Sequence, residues 1–419
     1  MSKINQFYQK TIPNFPINNS NQKTNIYQKN NFFVNQNNYQ NFYNQNNNFK
    51  IQNQISFYNY SSEALKGEYT QLKNLEHDNP NLIKERINQF EKQIILPIYQ
   101  QMNKSISLKK NMYIELYNKY TKIILEILKQ NSLQVILLQA YGSIMNNFLI
   151  EDGDIDISVV PNNSSIENFS MYLEEIRNEI MNKKFGNCEN LQINTRYSLL
   201  RVIDYQTGIN IDITVHTMLP FYNTKLIRIY SLIDQRFHIM GIFIKYWIKK
   251  NHIYGAFDKF LSSYAILIMI IYFLQTQIEP KILPNLQKIE NKIINYEYYH
   301  NGKKIVTNIY FEDNMDKINN YLKIINNNKE NNESVGELIV KFFEFYAYKY
   351  EHDYLISINN YEKKISKEHI AFPIEDPFDY EHNPGKSMKL NTSQYDLFLN
   401  TMRKEINNIL NGEYSNKNI

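Results

Sequence analysis

The chain has 419 residues, a formal net charge of +4, 43% hydrophobic residues and one cysteine, Cys188. That length supports two packed domains and a tail, and a single cysteine excludes a disulfide framework or a cysteine-rich zinc site and suits a reducing compartment. The near-balanced charge does not announce a nucleic-acid binder, so such a role needs a local basic groove.

Residues 1–60 are rich in Asn and Gln with scattered Tyr and Phe, and no acidic residue precedes Glu63. No apolar period runs through them, so a disordered tail is expected. Its lack of acids would fit a mitochondrial presequence, but it also lacks arginine, and no signal-peptide pattern is present. A cytoplasmic location is expected, with mitochondrion and nucleus left open.

Residues 80–131 read as helical. Within 112–128, Ile114, Leu116, Tyr117, Tyr120, Ile123, Ile124, Ile127 and Leu128 recur at helical spacing. Strands are predicted over 134–140 and 154–160, with Gly142 and Ser143 in a turn or short helix between them. An amphipathic helix follows over 165–184, then strands over 191–202 and 209–215 around a turn at Gln206, Thr207 and Gly208. From Thr224 onward helices dominate. The longest strongly apolar run, 264–274, falls short of the ~20 residues that span a bilayer. It reads as a buried helix, and no membrane partner is expected. The order implies an α+β chain: a small mixed sheet with helices on one face, then a helical region.

The informative stretch is Gly142-Ser143 followed by Asp154-Ile155-Asp156. Residues two apart in a strand share a face, so the two carboxylates would stand side by side. Such a pair is costly without a cation, and oxygen ligands suit Mg²⁺, with Mn²⁺ an admissible substitute. Gly142 permits close backbone approach, and Ser143 offers a hydroxyl to phosphate. Asp212 is an acid in a second apolar strand, placed to complete a two-metal phosphoryl-transfer site.

With these residues in place, the chain resembles the polymerase-β-type nucleotidyltransferases, and in particular the noncanonical poly(A)/poly(U) polymerase family, which includes terminal uridylyltransferases. The resemblance continues through Asn223-Thr224-Lys225-Leu226, Ile244-Lys245-Tyr246-Trp247, Leu261-Ser262-Ser263-Tyr264, Leu283-Pro284-Asn285-Leu286 and Ile374-Glu375-Asp376-Pro377-Phe378. Together these motifs cover about 133–390. The resemblance implies a palm domain at 132–219 inserted into a helical, PAP-associated central domain made of 80–131 and 220–405. It implies that Asp154, Asp156 and Asp212 are catalytic and hold metal. It places Asn223 and Thr224 near the sugar, Lys245 and Lys249 on the triphosphate, and Ser263 and Tyr264 on phosphate and base. A plainer reading of Asn223 is a helix N-cap. Asp376, Asp379 and His382 fall at the base-choosing element, where a ring N–H of the histidine would donate to uracil O4.

The sequence departs from the family pattern at Asn147, where a glycine is usual, and at Gly153, where a serine is usual. Asparagine tolerates left-handed φ better than most residues, so the turn is expected to survive. The expected activity is template-independent addition of UMP from UTP to the 3′ end of single-stranded RNA. With no accessory RNA module in the sequence, RNA choice would rest on the groove, the tail or a protein partner. A poly(A) polymerase on the same core is the competing enzyme, and a silent RNA-binding scaffold the competing class. A basic face of Lys225, Arg228, Arg236, Lys245, Lys249 and Lys250 is expected to serve triphosphate and RNA.

Overall fold

The computed structural model describes residues 62–131, 135–151, 153–161, 172–192, 198–215, 217–300, 303–352, 354–360 and 369–414. The expected tail at 1–60 lies outside them. Helix α1 (Ser62–Asp78) belongs to a unit separate from the residues that follow Asn79.

The second unit begins with α2 (Pro80–Phe90), a five-residue π turn (Glu91–Ile95) and the long α3 (Leu96–Gln130). Pro80 opens α2, where its missing N–H costs nothing. The helical period read over 112–128 is the buried stripe of α3 at Leu116, Tyr117, Tyr120, Ile123, Ile124, Ile127 and Leu128, whereas Ile114 is only half-buried and its neighbour Tyr113 is buried instead. Then come β1 (Val135–Tyr141), α4 (Ser143–Asn146), β2 (Ile155–Pro161), α5 (Tyr172–Asn182), β3 (Gly186–Gln192), β4 (Ser198–Asp204) and β5 (Asn210–Val215). The five strands form one sheet in the order β1-β2-β5-β4-β3, with β2 and β5 parallel and the other neighbours antiparallel.

Each strand turns alternate residues inward. Ile155, Ile157 and Val159, Ile211, Ile213 and Val215, and Leu200 and Val202 join the α3 stripe and Leu173, Ile176 and Ile180 of α5 in one core. One sheet face is thereby sealed, and the residues between these apolar positions face the other way. Two expectations need correction. The stretch 191–202 is not one strand: its ends belong to β3 and β4, which pair antiparallel with Leu191 opposite Leu200. Only β4 carries a clear alternation; β3 is polar apart from Cys188 and Leu191 and is broken by a bulge, so the period could not reveal it as a separate strand. Asp154 immediately precedes β2 rather than lying in it.

Beyond the sheet, α6 (Leu219–Ile233), α7 (Gln235–Lys250), α8 (Ser263–Thr276), α9 (Met315–Ile325), α10 (Val335–Glu344) and α11 (Ser393–Asn411) build the helical part. Helix α8 carries the apolar run and is buried from Ala265 to Ile271, and no helix among the described residues is long and apolar enough to cross a membrane. A hairpin of β6 (Asn295–His300) and β7 (Lys303–Asn308) interrupts the expected run of helices. Its signal was in the sequence: Asn301-Gly302 stands between two runs rich in Tyr, Val and Ile.

The turn between β4 and β5 is pinned to α3 by a buried carboxylate. Asp204 accepts from Lys119 Nζ at 2.5 Å, Tyr120 Oη at 2.9 Å and the backbone N–H groups of Gln206 and Thr207 at 3.0 Å. Burial alone would raise its pKa, but the hydrogen bond and charge of Lys119 outweigh it and hold the carboxyl below its usual value. Asp204→Asn should therefore cost about 3 kcal/mol in urea unfolding at neutral pH, as expected when one partner of a buried ion pair is removed. A depressed carboxyl pKa stabilises only above the ordinary carboxylate range, so the wild type's advantage should fade as pH falls through the lowered value. A loss under 1 kcal/mol, or an advantage that persists in acid, contradicts this role.

Candidate active site

The face of the sheet not covered by α3 and α5 carries a polar rank. Tyr141 is the register partner of Asp156, Asp156 of Asp212, and Asp212 of Arg201. Neighbours in register point to the same face. Four strands thus bring two carboxylates and a guanidinium into line, with Asp154 at the mouth of β2. Asn210, two residues before Asp212, donates to Asp154 Oδ1 at 3.0 Å.

Burial raises the pKa of Asp154, and the charge of Asp212 adds to it. Asp156 is raised further for the same two reasons, with Asp154 adding its own repulsion and Lys245 opposing. Asp212 is chelated: Arg201 Nε donates to Oδ1 at 2.8 Å and Nη2 to Oδ2 at 2.6 Å. Hard oxygen donors that destabilise one another's charge are the donor set a divalent cation suits. The three side chains do not yet form a cage, however, since no group of three His, Cys, Asp or Glu among the described residues is placed to hold a metal ion.

Gly142 has φ +67°, and a Cβ there would lie 2.2 Å from Asp156 Oδ2. Only glycine fits that approach. Its N–H donates to Thr224 Oγ1 at 3.0 Å, and Thr224 in turn donates to Pro220 O, so β1 and α6 are tied together beside the carboxylates. Asn147 takes the left-handed conformation, φ 77°, and closes α4 in place of glycine. Asn223 lies inside α6 and is not its cap, because the helix begins four residues earlier at Leu219.

Lys245 is buried in α7, donates to Phe148 O, and is pushed down to about 8 by burial while the charge of Asp156 opposes the shift. The broader basic face is not assembled. Lys225 is buried and paired with Asp313 at 2.5 Å, and Arg236 is held by Asp234, Asn331 and Glu333. Both are consumed by the fold.

At the other end stands Asp376, 2% exposed. It accepts from Asn223 Nδ2 at 3.2 Å, Tyr264 Oη at 3.2 Å, His382 Nδ1 at 3.0 Å and the N–H groups of Phe378 and Asp379 at 3.1 Å. Asp379 accepts from Tyr298 Oη of the hairpin at 2.8 Å. A carboxylate only accepts, so the ring gives its Nδ1–H to Asp376. Its second nitrogen, Nε2, then donates only as imidazolium. The expected donation to uracil O4 therefore requires the charged ring.

One cavity of about 660 Å³ unites these groups, a size suited to a small-molecule substrate. It is lined by every expected site residue except Asp212: Gly142, Ser143, Asp154, Asp156, Asn223, Thr224, Lys245, Lys249, Ser263, Tyr264, Asp376, Asp379 and His382. Arg201, Asn210 and Tyr254 line it too and were not anticipated. An arginine inside the apolar stretch 198–204 was the available signal for the first.

Residues 92–232 match the family model described as the central palm domain of mitochondrial-like poly(A) RNA polymerase. Over that stretch the chain is similar to the noncanonical poly(A)/poly(U) polymerases. Terminal uridylyltransferase 7 of Homo sapiens is 30% identical over 279 residues, covering 64% of this chain but 18% of the relative. Poly(A) RNA polymerase cid11 of Schizosaccharomyces pombe is 25% identical over 255 residues, covering 59% of this chain and 48% of the relative. The chain thus spans under a fifth of the first of these relatives and about half of the second. The solved structure of Cid1 in complex with its short product ApU superposes with a TM-score of 0.56 at 22% identity, covering 75% of this chain and 90% of that one. The fold seen here is therefore similar to the fold of that structure.

If the carboxylates repel as their raised pKa values indicate, Asp156→Asn should leave the metal-free protein at least as heat-stable as the wild type. Nucleotide addition should meanwhile fall more than about 1000-fold, as for loss of a group acting on the reacting atoms. A melting point lowered by many degrees would show that Asp156 holds the fold instead.

Proposed function

We propose that this chain is a template-independent terminal uridylyltransferase acting on the 3′ end of single-stranded RNA. The observation that carries the reading is His382, bonded to buried Asp376, on the wall of the same cavity as Asp154 and Asp156. In the reaction the RNA 3′ oxygen attacks the α-phosphate of UTP, the α–β phosphoanhydride breaks, and pyrophosphate leaves. Asp212 is the carboxylate assigned to take the hydroxyl proton. Lys245 and Lys249 neutralise charge on the departing pyrophosphate, with Ser143 and Ser263 as hydroxyl donors to phosphate. Asp154, Asp156 and Asp212 would hold Mg²⁺ or Mn²⁺, which would supply Lewis acidity for the transfer.

Asn223 and Thr224 face the sugar in this reading. Asn223 Oδ1 is buried and has no hydrogen-bond partner among the described residues, a cost that a ribose hydroxyl would relieve. Tyr264 stacks on the base, and Asp376 with Asp379 fixes the element that carries His382. The imidazolium donates to uracil O4, where adenine would present an amino donor instead. Proteins named for uridylyl transfer and for poly(A) synthesis are both similar to this chain, so in this reading the base end decides between them. We place the enzyme in the cytoplasm, with a protein partner supplying RNA choice.

His382→Ala should lower the ratio of kcat/KM for UTP over ATP by about tenfold or more, through a lost hydrogen bond to uracil and new room for the purine. Lys245→Ala should hurt both nucleotides alike. An unchanged ratio in His382→Ala, or a wild type that prefers ATP, would replace the uridylyl reading with the poly(A) one.

A further inference from the structure

Asp212 is the one expected site residue that does not reach the cavity, and Arg201 is why. The two are register partners on adjacent antiparallel strands. Arg201 lies on the cavity wall and takes both oxygens of Asp212 in a forked pair. The same Nη2 stands 3.7 Å from Asp154 Oδ2. The Asp212 side chain is 11% exposed and that of Arg201 37%. The guanidinium therefore covers the third carboxylate and reaches toward the first.

We propose that Arg201 is a removable counterion: it closes Asp212 in the substrate-free protein, and must release that carboxylate before the three aspartates can converge on a divalent cation. Arg201 is in this sense a positioning residue. The inference rests on the nucleotidyl-transfer reading of the site. Three observations carry it. Both oxygens of Asp212 are already occupied, so neither can ligate a cation without breaking a bond to Arg201. No three-donor cage exists among the described residues, although Asp156 and Asp212 are register partners on neighbouring strands. The arginine is more than one-third exposed, so its long side chain can swing away without opening the core beneath the sheet.

Arginine suits this task better than lysine. Its planar fork satisfies two carboxylate oxygens together, whereas an ammonium is a single point charge. On release, the same fork matches a phosphate, and the cavity it enters is where triphosphate and RNA backbone would lie. The closed pair also lowers the repulsion among the carboxylates while no cation is present.

The test reads Mn²⁺ binding to the full chain by electron paramagnetic resonance, without nucleotide or RNA. Arg201→Met should bind Mn²⁺ about tenfold more tightly than the wild type, which is ~1.4 kcal/mol of competition removed. Arg201→Lys should fall between the two, because one ammonium cannot hold both oxygens. Metal-free Arg201→Met should melt below the wild type, and saturating Mn²⁺ should close that gap. In an Asp212→Asn background the Arg201→Met gain should disappear. Unchanged or weaker Mn²⁺ binding in a folded Arg201→Met protein overturns the proposal. If that variant does not fold, Arg201→Lys decides alone: tighter binding supports the counterion role and wild-type affinity refutes it. None of these readouts requires nucleotide addition, so an inactive wild type would count against the proposed function and not against this assignment.

Discussion

Asp156 and Asp212 are register partners on neighbouring parallel strands, so the backbone leaves their carboxylates no way to avoid each other. Asp154, just before β2, adds a third charge. A sheet that served only stability would fill this rank with apolar side chains, as it does at Ile155, Ile157, Ile211 and Ile213 on the opposite face. The parallel pairing of β2 with β5 is what sets the distance, and the sealed core beneath the sheet keeps it. The responses to that repulsion are visible around it: the Arg201 fork, the Asn210 amide, the buried Lys245 and the glycine at 142 that leaves room for Asp156.

The base end follows a different logic. A single buried carboxylate, Asp376, gathers donors from α6, α8 and its own loop. Five donors on one group make a rigid junction, and His382 is one of its spokes. Tyr298 extends the junction to the hairpin through Asp379. The helical part thereby positions the loop that carries His382 with hydrogen bonds, whereas the sheet positions its carboxylates with strand register.

Much of this was legible in the sequence. The α3 stripe, the β2 and β5 strands and the ordered motifs from Gly142 to Phe378 follow from apolar period and spacing, which are local properties. What was not legible depended on pairing. That 191–202 joins two strands, that Arg201 meets Asp212, and that Lys225 and Arg236 are spent on internal partners are all facts of register and packing between distant segments. Counting basic residues along a helix overestimated the charge presented to substrate, because burial and pairing, not composition, decide which cations face a cleft. The tautomer of His382 was likewise invisible until Asp376 was seen beside it.

The most direct test of the account is extension of a short labelled single-stranded RNA by the wild-type chain, with each of the four ribonucleoside triphosphates in turn and then in competition. Reactions run with Mg²⁺ and with Mn²⁺. The account predicts untemplated addition at the 3′ end, dependent on the divalent cation, with uridylate incorporated in preference to adenylate when both are present. Addition of adenylate in preference to uridylate would contradict the role given to His382. Failure to extend RNA with any nucleotide under either cation would contradict the account at its centre.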